Sequence, residues 1–138
     1  MSEMVLNHPA VGERVVHKTF PPITRHTLAL YGGASGDHNP IHVDIDFAKA
    51  AGFPDVFSHG MLVMAYLGRA LTDAVVPARI RSFSTRFAAI TQLGARLTCE
   101  GHVTELLEHK GERRVKLALT TKDENGEIKL AGEAIIAL

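Results

Sequence analysis

A chain of 138 residues carrying 15 Lys+Arg against 15 Asp+Glu is long enough for one domain with a real core. Its zero formal charge excludes a dominant electrostatic partner, whether nucleic acid or an acidic membrane surface. The lone cysteine, Cys99, excludes an internal disulfide and fits a reducing compartment, so the cytoplasm is the expected location.

Residues 1–9 have no basic segment followed by an apolar one, so no signal peptide is expected, and no apolar run is long enough to span a bilayer. Residues 1–12 show no clear period and read as a loose lead-in. Residues 15–20 predict a short strand ended by Pro21-Pro22. Thr24 then reads as the cap of a helix from Arg25 to about Tyr31, stopped by Gly32-Gly33. Residues 35–42 predict irregular backbone, because Pro40 disfavours helix at Asn39. Asp44 can cap a short helix over 47–51, closed by Gly52. Phe53-Pro54-Asp55 is a turn.

Residues 60–75 are apolar on nearly every side, with Arg69 the only charge before Asp73, which predicts a buried helix ended by Pro77. Beyond Pro77 the period changes to two. Phe83, Thr85, Phe87 and Ala89 share one strand face. Ala95, Leu97, Cys99, Gly101 and Val103 alternate with polar residues, as do Val115, Leu117 and Leu119. In the last strand Ile128, Leu130, Gly132, Ala134 and Ile136 form the apolar face, and Lys129, Ala131 and Glu133 the other. Glu108-His109-Lys110-Gly111 and Asp123-Glu124-Asn125-Gly126 are turn signals. This order lacks βαβ alternation. It predicts an α+β fold in which one curved antiparallel sheet wraps a long central helix, as a single domain over residues 1–138.

The chemistry concentrates between Tyr31 and Gly60. Asp37 and His42 stand five apart, with Gly36, Asn39 and Pro40 shaping the loop between them. A carboxylate beside a neutral imidazole can hold and polarise one water, and the imidazole can take a proton and return it. The same two residues also suit a loop cap and a hydrogen-bonded surface histidine, and spacing does not choose between these. Ser58-His59-Gly60 opens the apolar helix, where free amides and positive partial charge can stabilise a developing oxyanion. Ser58 as a simple helix cap is the plainer alternative. His38, His42 and His59 are conceivable metal ligands, but Pro40 breaks the spacing and no cysteine is near, so no metal is expected. Arg79, Arg81 and Arg86 could meet phosphates or lie solvated on a strand edge. Cys99 reads as a small buried hydrophobe.

The string Ser35-Gly36-Asp37-His38-Asn39-Pro40-Ile41-His42, followed by His59-Gly60-Met61-Leu62, resembles the MaoC-like, (R)-specific enoyl-CoA hydratase family of hot-dog proteins, over essentially the whole chain. It is also similar to the catalytic subunit of heterodimeric (3R)-hydroxyacyl-carrier dehydratases. The resemblance implies reversible hydration of trans-2-enoyl thioesters of CoA or acyl carrier protein to 3R-hydroxyacyl thioesters. It implies Asp37 and His42 as the acid/base pair and the Gly60 amide as an oxyanion donor. Asn39, Ser58 and His59 would be supporting residues. No cofactor is needed. Edge-paired dimers are implied, either homodimers or heterodimers with a related subunit. Some relatives carry a serine on the central helix where this chain has Gly68. A hot-dog thioesterase and a noncatalytic acyl-CoA-binding subunit are the competing expectations.

Overall fold

The computed structural model describes residue 6 and residues 8–138, so most of the lead-in lies outside the described residues. Strand β1 (Arg14–Thr19) is followed by helices α1 (Arg25–Ser35), α2 (Ile45–Ala50) and α3 (Gly60–Ala74), then by strands β2 (Ile80–Phe87), β3 (Thr98–His109), β4 (Glu112–Lys122) and β5 (Ile128–Ala137). The strands form one antiparallel sheet in the order β1-β3-β4-β5-β2. Among the described residues, no helix is long and apolar enough to cross a membrane.

Alternation builds the sheet's inner face. Leu97, Cys99, Val103, Val115, Leu117, Leu119, Ala134 and Ile136 are all buried. The β3–β4 hairpin turns on Lys110 and Gly111, both at positive φ (50° and 82°), which is the backbone a two-residue turn with matching strand twist needs. Two glycines let neighbouring strands approach. A Cβ on Gly132 would lie 2.1 Å from the Ser84 carbonyl oxygen, and one on Gly101 would lie 3.0 Å from Val16 Cβ.

Helix α3 lies across this face, in contact with β1, β3, β4 and β5. It buries Leu62, Val63, Leu67, Ala70, Leu71 and Ala74. Burying each leucine stabilises the fold by roughly 1.5–3 kcal/mol. The helix is not buried all round, as its composition suggested. Met61, Ala65 and Arg69 form an exposed stripe at i, i+4, i+8, because a single sheet covers only part of a helix circumference. Arg69 pairs with Asp73 one turn on.

The first helix differs from the expected one. Thr24 caps it, its Oγ1 accepting from the Thr27 amide at 3.1 Å. It then runs through Gly32-Gly33 and ends at Gly36, whose φ of 78° closes the last turn. Glycine weakens a helix by about 1 kcal/mol relative to alanine but does not forbid it. Gly32 is buried, and a Cβ there would stand 3.3 Å from the Asp37 carbonyl oxygen.

The start of β5 also departs from the simple alternation. Thr121 pairs with Leu130 while Lys122 pairs with Ile128, so β5 spends one extra residue against β4. Such a bulge re-aims side chains. Lys129, expected on the polar face, is 2% exposed, whereas Ile128 is 42% exposed.

Candidate active site

Three short segments converge at the N-terminal end of α3. The first is the loop after α1. The Asp37 carboxylate accepts from the Asn39 amide at 3.3 Å, and the Asn39 side chain accepts from the Ile41 amide at 3.1 Å. Asn39 thereby caps the single 3-10 turn Pro40–His42 that carries the histidine. The next turn is capped in the same way, with Asp44 accepting from the Asp46 and Phe47 amides at the start of α2. Local side-chain-to-backbone bonds thus shape the whole stretch.

The second segment is Phe57-Ser58-His59. The His42 Nδ1 lies 2.8 Å from the Phe57 carbonyl oxygen. A carbonyl only accepts, so Nδ1 carries the proton and Nε2 of neutral His42 is left with its lone pair. Ser58 does not cap α3. Its hydroxyl donates to the His59 carbonyl at 3.0 Å, and the helix has no side-chain cap. The amides at the start of α3 are therefore free of side-chain oxygen, and Gly60, exposed, has no Cβ over its own.

His59 is 1% exposed, and neither ring nitrogen makes a hydrogen bond. Its ring stacks on His42 at 3.9 Å between centroids and meets the Tyr31 ring edge-on at 4.8 Å. Burial, and then the neighbouring His42, push His59 below the ordinary histidine value, outweighing the opposing pull of Asp37. His59 is thus a neutral plate behind His42. Gly32 packs beside it, where a Cβ would stand 3.7 Å from His59 Nε2, an ordinary contact.

Polar atoms of Asp37, His42 and His59 all lie within 4.8 Å of one another. One water with two hydrogen bonds of about 2.8 Å spans such a gap between Asp37 and His42. A shared cation would have to lie in the plane of both rings, and planes stacked at 3.9 Å with a 29° tilt converge only several ångströms away. The arrangement suits stacking rather than chelation. His38 is exposed and outside this cluster.

The third segment is the wall opposite, residues 88–91 between β2 and β3. A cleft of about 340 Å³ runs between it and the α3 N-terminus, with His42, Gly60, Phe87 and Lys129 on its lining. Asp37 is exposed and not on that lining. The Phe87 ring covers the Gly60 α-carbon closely enough that a Cβ would meet it at 3.0 Å. Gly68 is likewise off the cleft lining, and a Cβ there would meet only the Phe83 ring, at 3.7 Å. Of the cations considered for phosphates, Arg81 is paired to Glu112, while Arg79 and Arg86 are exposed. Burial pushes the Cys99 thiol up to about 11, which leaves it unreactive.

Residues 7–125 match the family model described as MaoC like domain. The chain belongs to the MaoC-like family. Over 80 residues, 56% of this chain, it is 35% identical to the peroxisomal enoyl-CoA hydratase 2 of Arabidopsis thaliana. It matches the unliganded R-hydratase PhaJ1 from Pseudomonas aeruginosa at a TM-score of 0.80 and 30% identity, covering 93% of this chain and 81% of that one. The ChsH1-ChsH2 complex from Mycobacterium tuberculosis shares the fold at a TM-score of 0.78 and 18% identity, over 94% of this chain and 98% of that one. These neighbours are MaoC-like hot-dog proteins. The matched stretches cover only 4%, 26% and 28% of the first three curated relatives.

Lys129 is the site residue that sequence reasoning missed. A strand read as strict alternation puts it in solvent. The signal available was the turn Asp123-Glu124-Asn125-Gly126 placed directly before an alternating run, where bulges are common.

Proposed function

We propose that this chain adds water reversibly to trans-2-enoyl thioesters of CoA or acyl carrier protein, giving (3R)-3-hydroxyacyl thioesters. The observation that carries the reading is the bond from His42 Nδ1 to the Phe57 carbonyl, which leaves Nε2 as the free base of a residue that lines the cleft and lies within one water's reach of Asp37. His42 Nε2 removes a proton from a water held with Asp37. The oxygen adds to C3, and charge moves onto the thioester oxygen at the Gly60 amide. C2 then takes a proton from one member of the pair. The reverse path is dehydration. Asn39 holds the His42 turn, the Ser58 amide ties down the segment whose Phe57 carbonyl accepts from His42, and His59 backs the imidazole. None of these steps calls for a metal or a redox cofactor.

In this reading residues 1–138 act as one domain, in a reducing compartment such as the cytoplasm. The cleft volume lies at the small end of ligand sites, ~300–1,000 Å³, which favours a short acyl chain first. The free edge of β2, with Phe87 52% and Ile90 53% exposed beside it, would pair with a second copy or a related subunit.

The test is loss of the enoyl absorbance when purified protein meets crotonyl-CoA, with the product resolved for chirality. The 3R hydroxy product is the expected result. Release of free CoA without it would assign a thioesterase. Binding without turnover, on short and long thioesters alike, would assign a carrier-binding subunit.

A further inference from the structure

The mechanism above makes no use of the most deeply buried charge among the described residues. Lys129 is 2% exposed, and removing an ammonium from water is costly unless every N–H finds an acceptor. Here all three do. Nζ donates to the Ile90 carbonyl at 2.9 Å and to Glu127, and it lies 3.5 Å from the buried Asp123 carboxylate. Asp123 in turn accepts from Gln92 Nε2 at 3.1 Å and from the amides of Asn125 and Glu127. Burial pushes this carboxyl up, but those hydrogen bonds and the Lys129 charge outweigh it and hold it below the usual range. The β5 bulge aims the side chain inward to this place.

The acceptors identify what the cluster holds. The acceptor Ile90 belongs to the cleft wall opposite the α3 N-terminus, and Gln92, the donor to Asp123, stands two residues on. The Ala88 amide donates to the Lys129 carbonyl at 2.9 Å, so the same residue grips the wall through its main chain as well. The wall is then tied across the cleft. The Ser58 amide donates to the Thr91 carbonyl at 2.8 Å, and Gln92 forms an isolated antiparallel bridge with Phe57. Phe57 supplies the carbonyl that fixes His42. A path of hydrogen bonds and intervening main chain therefore runs from the Lys129 ammonium through Ile90–Gln92 and Phe57–Ser58 to the imidazole.

We propose that Lys129 is a positioning residue. Its buried ammonium, clamped with Asp123, fixes the 88–92 wall and through Phe57 sets the tautomer and orientation of His42.

The turnover arm of the test rests on the hydration reading, and the spectroscopic arm does not. Lys129→Met keeps the stem and removes the charge. Lys129→Met combined with Asp123→Asn leaves no lone buried charge and serves if the single variant fails to fold. In substrate-free protein, proton–nitrogen NMR of His42 should show a slowly exchanging Nδ1–H in the parent. In either folded variant that proton should exchange faster and the Nε2–H tautomer should appear. With crotonyl-CoA, kcat should fall about 10–100-fold, the scale of a small misplacement of a reacting group, while KM changes much less. A folded variant with the parent's His42 exchange and tautomer overturns the proposal. A protein that hydrates no enoyl thioester, yet loses the Nδ1–H signal in the variants, overturns the hydration reading and keeps this one.

Discussion

The cleft has two walls of unlike construction. On one side, residues 35–60 carry the reactive groups, and these are held from within that segment: Asp37 by the Asn39 amide, α2 by Asp44, and His42 by an Asn39-capped turn and by the Phe57 carbonyl 15 residues on. On the other side, residues 88–92 carry no reactive side chain and are held by partners about thirty to forty residues distant in the chain, Asp123 and Lys129. Chemistry is thus kept on short-range structure, and the shape of the space around it on long-range structure. The main chains of the two walls are joined at Ser58–Thr91 and Phe57–Gln92.

Substitutions can break one wall while sparing the other. His42→Gln and Asp37→Asn strike the reactive side, and each should lower turnover by about 10²–10⁴-fold, the usual weight of a general acid or base. Melting curves should show the fold intact, since both side chains sit at the cleft or in solvent. An active, folded double variant would end their assignment. Gly132→Ala strikes the sheet side. Its Cβ would lie 2.1 Å from a main-chain oxygen of β2, which cannot move without breaking the β2–β5 ladder. Denaturant titration should show a loss of about 3 kcal/mol or more.

The smallest effect should come from His59. Its folded value lies below the 6.5 of a free histidine. Stability is full above 6.5, and it falls as the pH drops through the folded value, because the unfolded chain takes up a proton that the native state refuses. Melting temperature followed from about pH 7.5 to pH 5 should therefore decline less steeply in His59→Gln than in the parent. Equal slopes would mean that His59 protonates freely in the folded state.

The short-range wall is the part that can be read from sequence. Gly36, Asn39, Pro40 and Asp44 announce their turns by residue type, and the α3 start at Gly60 and both hairpin turns fall where turn chemistry puts them. The α+β architecture follows from the change of period after Pro77. What sequence conceals is decided by contacts between distant segments. Gly32-Gly33 reads as a helix stop, yet α1 continues to Ser35, and Gly32 packs closely on the Asp37 carbonyl. Ser58 reads as a cap but bonds the His59 carbonyl instead. The exposed stripe on α3 and the inward turn of Lys129 depend on how far one sheet reaches and where β5 slips by a residue.

The strand order has a consequence in time. β5 is the last strand of the sequence, yet it lies between β4 and β2, and β1 must find β3 across some eighty residues of chain. As the protein is made, β2 leaves the ribosome long before its only partner in the sheet exists. The motif at 35–42 can take up its local turns early, but the wall that faces it waits for Lys129. The cleft therefore rests on pairings of long sequence separation, the kind that is slow to form. Anything that intercepts the unfinished chain meets the reactive loop before it has a pocket to work in.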